Sequence, residues 1–395
     1  MRAAVCHHGL FTVEKDYRDP APGPRQVLIK VMRCGICGSD LHARNDGEEM
    51  GELLSRHLGY ANFMRTDQHV VMGHEFSGEV LDYGAGAQRK FKPGTPVVAL
   101  PFVKTGESFD VSGLAERRSG GMAERTVVEE NFMLRIPNGL SFDKAAMVEP
   151  LSVAWHAVRR AQIKTKDVAI VVGCGPVGLS VITMLKAAGV RQIVASDFSA
   201  VRRALAEKCG ATITVDPAQD SPYRNWKEFG HLVAINDALV MASDAVDLLG
   251  KLPGLPWWHA WHLAEKLGAT DPKRPIVFEC VGAPGILQRV LEGAPMYSRV
   301  VVAGLCMGKD AIQPSLAINK EIELRFVFGY TPVEFRDTLH MVAEGKVDPT
   351  PLHTGTVGLE GVATAFDLLG KAEAHAKILI DPASTAREPL APARA

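Results

Sequence analysis

Two groups of residues in this chain of 395 have types and spacing suited to chemistry. The first is G-C-G-P-V-G at Gly173 to Gly178, which follows the apolar run VAIVV (Val168 to Val172) and precedes a lone acid at Asp197. A run rich in valine and isoleucine that stops at glycines reads as a buried parallel strand. Val177 to Ala188 has helical character, and Ile193 to Ser196 reads as the next strand. In such a unit Gly173 permits a sharp turn, Gly175 lets backbone amides approach a pyrophosphate, and Gly178 lets the helix pack close to the strand. The helix start at Pro176 and Val177 offers free N–H groups and a partial positive charge to the phosphates. Asp197 lies 19 residues after Gly178, the separation at which an acid hydrogen-bonds a ribose 2′-hydroxyl. The pattern predicts dinucleotide binding. The carboxylate favours NAD over NADP, because it would repel a 2′-phosphate. Arg202 and Arg203 would act the other way, but at this depth in a helix they read as solvated.

The second group is dispersed. Residues 34 to 42 read C-G-I-C-G-S-D-L-H, residues 73 to 75 read G-H-E, and Glu149 sits in V-E-P-L-S. Alone, the CxxC of Cys34 and Cys37 is a redox pair or half of a zinc knuckle. A redox pair normally opens a helix in a βαβ unit, and the glycines and Asp40 here argue otherwise. A knuckle needs a second pair, and no cysteine occurs between Cys37 and Cys174.

Together the fragments resemble the zinc-dependent medium-chain dehydrogenase/reductase superfamily. The resemblance runs in order through G-I-C-G-S-D-L-H, G-H-E, G-G-M-A-E (Gly120 to Glu124), E-P-L, G-C-G-P-V-G, F-E-C-V-G (Phe278 to Gly282) and K-I-L-I from Lys377. The E-P-L form is similar to the sorbitol and threonine dehydrogenase branch. The resemblance implies that Cys37, His74 and Glu149 bind one catalytic zinc and that Glu75 stands beside it as an alternative ligand. It also implies a proton relay from Ser39 through the cofactor ribose to His42. The chemistry of the residues agrees. A catalytic zinc keeps three protein ligands and one open position. One thiolate and one carboxylate cancel its charge, so an alcohol can bind and become more acidic there. A hydroxyl donates and accepts, and imidazole titrates near neutrality. The plainer readings are a helix N-cap for Ser39-Asp40 and an exposed helical position for His42.

The chain departs from that family in three places. The lobe that carries four cysteines and a structural zinc in many relatives would fall between Pro101 and Gly120, and no cysteine is present there. A single zinc per chain is therefore expected. Ala43 to His69 and Ala218 to Arg274 are longer than the fold needs, and the second interval has room for two or three helices. Its W-W-H-A-W-H at Trp257 to His262 suits a lid, a subunit interface, a cofactor box or aromatics packed under a helix. The expectation is a helical cap or contact surface.

The elements that would position these groups follow the fold class α/β. A doubly wound parallel sheet (Rossmann) over 151–328 is joined to an irregular antiparallel barrel-like catalytic domain, GroES-like in the resemblance, formed by 1–150 and 329–395. Gly282 and Gly304 follow the strands IVFEC and RVVVA, where backbone can approach the nicotinamide half of the cofactor. Thr331 as N-cap, Pro332, an apolar face of Phe335, Leu339 and Val342, and Gly345 as stop mark a helix. The tail from Ser384 reads as disordered or weakly docked. Net charge is −1 with interspersed signs, which gives no electrostatic footprint for nucleic acid or an acidic membrane. The uncharged run Val168 to Leu185 approaches membrane-span length, but its three glycines and proline fit a strand, a turn and a helix better. Seven scattered cysteines and no apolar segment in MRAAVCHHG predict a reduced, cytoplasmic setting. The leading expectation is a zinc- and NAD-dependent oxidoreductase of a secondary alcohol or polyol, working as a homodimer or homotetramer on a small-molecule alcohol or carbonyl. The alternatives are a zinc-lacking quinone or enoyl reductase and a non-catalytic nucleotide-binding scaffold.

Overall fold

The computed structural model describes residues 1–224, 226–270, 273–371 and 375–392. Strands β1 (Ala3–His7), β2 (Leu10–Glu14) and β4 (Val70–Val71) form a small antiparallel sheet in the order β2-β1-β4. A larger sheet contains β3 (Gln26–Gly35), β5 (Glu75–Tyr83), β6 (Pro96–Ala99), β9 (Arg125–Glu129), β10 (Met133–Arg135), β17 (His353–Val357) and β18 (Lys377–Ile380), ordered β10-β6-β5-β3-β18-β17 with β9 also on β3. It is antiparallel except for the pair β17–β18. Strands β7 (Phe102–Thr105) and β8 (Ser108–Val111) make a separate hairpin.

The third sheet is wholly parallel: β11 (Val168–Val172), β12 (Gln192–Ser196), β13 (Ile213–Val215), β14 (Ile276–Glu279), β15 (Arg299–Val302) and β16 (Glu323–Phe326), in the order β13-β12-β11-β14-β15-β16. This is the doubly wound order with its switch point beside β11. The strands read as near-continuous apolar runs because both faces are covered. Ala169, Val171, Ile193, Phe278 and Val301 join the core on one side. Ile170, Val194, Val277 and Val300 face Trp226 on the other.

The helices are α1 (Gly38–Leu58), α2 (Phe142–Ala146), α3 (Val148–Ala161), α4 (Pro176–Ala187), α5 (Ala200–Cys209), α6 (Ile235–Gly250), α7 (Trp257–Lys266), α8 (Ile286–Gly293), α9 (Pro314–Asn319), α10 (Pro332–Ala343) and α11 (Val362–Gly370). Helix α10 has the expected start, a capping box between Thr331 and Glu334. The last carbonyls of α3 are held by the parallel sheet: Arg299 Nη1 donates to Ala161 O at 2.7 Å and Arg325 Nη1 to Arg160 O at 2.7 Å.

The two over-long stretches and the tail resolve differently. Ala43 to His69 is mostly helix, since α1 continues through a kink at Asp46 to Leu58 and stops at left-handed Gly59. The long interval before β14 contains α6 and α7, which pack on each other. Helix α6 buries no residue and α7 buries only Ala260. Trp257 and Trp258 are 39% and 50% exposed, so they are not packed beneath a helix. The tail departs from expectation. It docks along β17, where Thr356 and Leu390 exchange backbone hydrogen bonds at 2.9 and 2.8 Å and Gly358 N donates to Ala386 O at 2.7 Å. Pairing with an edge strand gives the polar tail an ordered path that its composition does not reveal. Among the described residues no helix is long and apolar enough to cross a membrane.

Candidate active site

The candidate ligand residues converge because of strand register. Gly35, the last residue of β3, pairs with Glu75, the first of β5, and Leu379 of β18 pairs with Gly35 from the other side. His74, Glu75, Ile36, Cys37 and Lys377 therefore emerge at one end of the sheet. A Cβ at Gly35 would lie 2.1 Å from Glu75 Oε2, so only glycine admits that carboxylate.

The ligand atoms of Cys37, His74 and Glu75 lie within 4.8 Å of one another. Cys37 is the N-cap of α1, and its backbone N–H donates to Asp40 Oδ2 at 2.9 Å. Asp40 is fully buried, and its Oδ1 stands 3.2 Å from His74 Nδ1. The imidazole thus turns Nδ1 toward a carboxylate and Nε2 toward Ser39 Oγ, 3.3 Å away. Burial disfavours charge on His74, but Asp40 and Cys37 outweigh it and hold the ring well above its usual pKa. His42 lies one turn along α1 and faces Asp46 through Nδ1 at 3.4 Å, partly exposed.

Glu149, in the first turn of α3, lies outside the tight cluster but within its field. Burial pushes its carboxyl up to about 7, with His74 lowering and Glu75 raising it. Its Oε2 is buried with no hydrogen-bond partner, as is the hydroxyl of Tyr330, just beyond β16. Burial raises Tyr330 well above the usual phenol range, and the Glu149 charge adds to it. Glu75 differs: both its oxygens accept from Lys377 Nζ, at 2.7 and 2.8 Å. Lys377 also donates to Ile36 O at 2.9 Å. Its burial disfavours charge, yet Glu75 and Cys37 raise its pKa.

At the glycine motif the chain leaves β11 through Gly173, at φ +90°, and enters α4 at Pro176 with Gly175 as N-cap. A Cβ at Gly178 would lie 1.9 Å from Gly173 O, whereas one at Gly175 would meet nothing nearer than Arg202 Nη1 at 3.9 Å. The first contact enforces glycine for packing, and the second leaves the turn open to a ligand. Asp197 closes β12. Its Oδ2 accepts from Cys174 N and its Oδ1 from Ser199 N, both at 2.8 Å. Contrary to a solvated reading, Arg203 Nη1 donates to Asp197 O and Phe198 O and pairs with Asp216 at 3.2 Å. Arg202 Nε is buried without a partner.

Gly282 and Gly304 are held together by one residue. Glu279 Oε1 accepts from Val281 N and Gly282 N at 2.7 and 2.9 Å, and Glu279 O accepts from Ala303 N and Gly304 N, both at 2.9 Å. Sequence reasoning gave no role to Glu279, Tyr330 or Lys377 and saw Asp40 only as a cap. For Asp40 the signal was present: an acid three residues after an N-cap reaches back to that residue.

In the Pro101–Gly120 lobe, Asp110 is fully buried. It accepts from Asn62 Nδ2 at 2.8 Å and pairs with Arg117 Nε at 3.0 Å.

Residues 23–138 match the alcohol dehydrogenase GroES-like domain family. The chain is 31% identical to (R,R)-butanediol dehydrogenase of Bacillus subtilis (strain 168), over 97% of this chain and 100% of that one. It is 26% identical to sorbitol dehydrogenase of Bos taurus, over 89% and 88%. The X-ray crystal structure of 2R,3R-butanediol dehydrogenase from Bacillus subtilis matches with a TM-score of 0.72 at 30% identity, covering 96% of this chain and 99% of that one. Galactitol-1-phosphate dehydrogenase from Escherichia coli shares the fold at a TM-score of 0.72 and 21% identity, over 97% and 100%. The chain belongs to the zinc-type medium-chain alcohol dehydrogenase superfamily. It is an oxidoreductase of the alcohol dehydrogenase class.

Proposed function

We propose that the chain is a zinc- and NAD-dependent dehydrogenase interconverting a secondary alcohol or polyol with its carbonyl form. The observation that carries this reading is the convergence of Cys37, His74 and Glu75 within 4.8 Å, beside a buried Glu149 oxygen that has no partner. The donor set fits zinc: sulfur, imidazole and carboxylate are its ordinary ligands. Glu75 is matched by Lys377, so the unpartnered Glu149 oxygen is the one that calls for a cation. Cys37, His74 and Glu149 would hold the metal, with Glu75 kept beside it. Asp40 would fix the His74 tautomer through Nδ1 and leave Nε2 for the metal.

Bound zinc polarises a substrate oxygen, and bound NAD accepts a hydride. The chain's own residues do the rest. Ser39 Oγ takes up the hydroxyl proton and passes on its own. His42, with Nδ1 against Asp46, delivers a proton to water. The Gly173–Gly178 turn with Pro176 and Val177 cradles the pyrophosphate, Asp197 binds the adenosine ribose, and the Gly282 and Gly304 turns seat the nicotinamide end. A nucleotide unit of 151–328 and a catalytic unit of 1–150 with 329–395 fit this division of labour. Relatives named for butanediol and sorbitol support a diol or polyol substrate. The test is zinc analysis with NADH absorbance over a panel of diols, polyols, amino alcohols and simple alcohols. Activity that persists in zinc-free protein overturns the mechanism.

A further inference from the structure

Two enclosed polar atoms near the candidate ligands, the Tyr330 hydroxyl and Glu149 Oε2, have no full hydrogen-bond partner among the described residues. The phenol can donate and the carboxylate can accept. A buried polar atom left alone bears the whole cost of leaving water. Two such atoms of opposite kind in one site therefore point to each other.

The fold fixes both ends. Tyr330 stands between left-handed Gly329, at φ +62°, and Thr331, the N-cap of α10. A Cβ at Gly329 would meet nothing within 4 Å, so conformation and not space calls for glycine there. The phenol ring stacks on Phe335, itself 1% exposed, with centroids 5.6 Å apart and planes at 21°. Packing thus sets the direction of the hydroxyl. Glu149 is fixed from the other side, because its helix is clamped to the same helix start. Glu334, which closes the Thr331 capping box, faces His156 Nδ1 of α3 at 3.0 Å and accepts from Arg159 Nη1 at 3.3 Å.

Elimination identifies the acceptor. Both oxygens of Glu75 accept from Lys377. His74 turns Nδ1 to Asp40 and Nε2 to Ser39, and a cysteine sulfur accepts only weakly. Glu149 remains, and the Tyr330 hydroxyl already acts on its carboxyl. We infer that Tyr330 is a positioning residue, its hydroxyl donating to the Glu149 carboxylate and holding it where it can join Cys37 and His74. This rests on the proposed reading in which Glu149, and not Glu75, completes the zinc ligands. A partner of this kind orients a ligand and strengthens its grip without touching the metal.

Tyr330→Phe keeps the ring stack and removes only the oxygen. Competition with a chromogenic chelator measures zinc affinity of the full chain in this variant, in Glu149→Ala and in their combination. Tyr330→Phe should weaken zinc binding about 10–100-fold, with NAD binding and circular dichroism unchanged. With Co²⁺ in place of zinc, its visible absorption bands should shift. Added to Glu149→Ala it should change neither readout further, since the acceptor is gone, whereas added to Glu75→Gln it should keep its full effect. Zinc affinity untouched by Tyr330→Phe, or weakened equally with and without Glu149, overturns the inference and leaves the ligand set standing. Zinc affinity untouched by Glu149→Ala removes the reading beneath it, and the inference with it.

Discussion

The ammonium group of Lys377 lies 2.7 and 2.8 Å from the two carboxylate oxygens of Glu75, which it meets across 302 residues of sequence in a fully enclosed site. Removing one partner strands the other charge out of water. Lys377→Met is expected to destabilise the metal-free chain by about 3–5 kcal/mol. Combined with Glu75→Met it should cost less than the sum of the single changes. Urea unfolding measures all three. A single-mutant loss below about 0.5 kcal/mol would show that the pair is not formed in solution.

Cys37→Ser is expected to abolish zinc binding and turnover while NAD binding, followed by calorimetry, is retained. The two acids separate on elemental analysis. Glu149→Gln should lose its zinc on dialysis, because the buried Glu149 oxygen makes no full hydrogen bond and has only the Tyr330 hydroxyl acting on it. Glu75→Gln should lower affinity by no more than about 10–100-fold, the effect of an outer-shell group. The opposite ranking would make Glu75 the ligand.

Asp197→Ala should reduce the ratio of kcat/KM for NAD over NADP at least about tenfold, a change of ~1.4 kcal/mol. The same carboxylate accepts from the Cys174 and Ser199 amides, so the apparent KM for NAD should rise as well. An unchanged ratio rules Asp197 out of the ribose site.

Asp110→Ala should destabilise the chain by about 2–3 kcal/mol, less than a fully enclosed pair because Arg117 is half exposed. Zinc per chain should stay at one. A second zinc in the wild type, lost with this change, would mean that the lobe is held by metal after all.

Acid stability follows from Glu334. Burial pushes its carboxyl up, but the Thr331 amide and His156 outweigh burial and hold it below the usual carboxylate range. A carboxyl whose pKa is lower folded than unfolded stabilises the fold above the unfolded value and ceases to do so as pH falls through the folded one. The stability advantage of wild type over Glu334→Gln should therefore be full near neutrality and vanish in acid. A difference independent of pH would contradict it.

Much of this was legible in local sequence. VAIVV stops at Gly173 because the chain must turn there, and Thr331 and Glu334 cap α10 within one turn of each other, so neither depends on distant residues. Ala43 to His69 was read only as an over-long stretch, and glycines such as Gly47 and Gly51 give a helix there little local support. In the fold Gly51 is a close contact, where a Cβ would fall 2.6 Å from the Arg65 guanidinium. The role of Lys377 was hidden because it depends on the register of strands 302 residues apart in the chain. The ranking of Glu149 over Glu75 came from the resemblance alone; the Lys377–Glu75 pair that supports the proposed ranking leaves no trace in spacing.

Helix α3 has Glu149 in its first turn, while its last carbonyls are gripped by Arg299 and Arg325. Fourteen residues make it about 20 Å long. Under the proposed function it acts as a strut: a tilt of the nucleotide sheet on coenzyme binding would swing the carboxylate at its far end, tying one half of the proposed site to the other.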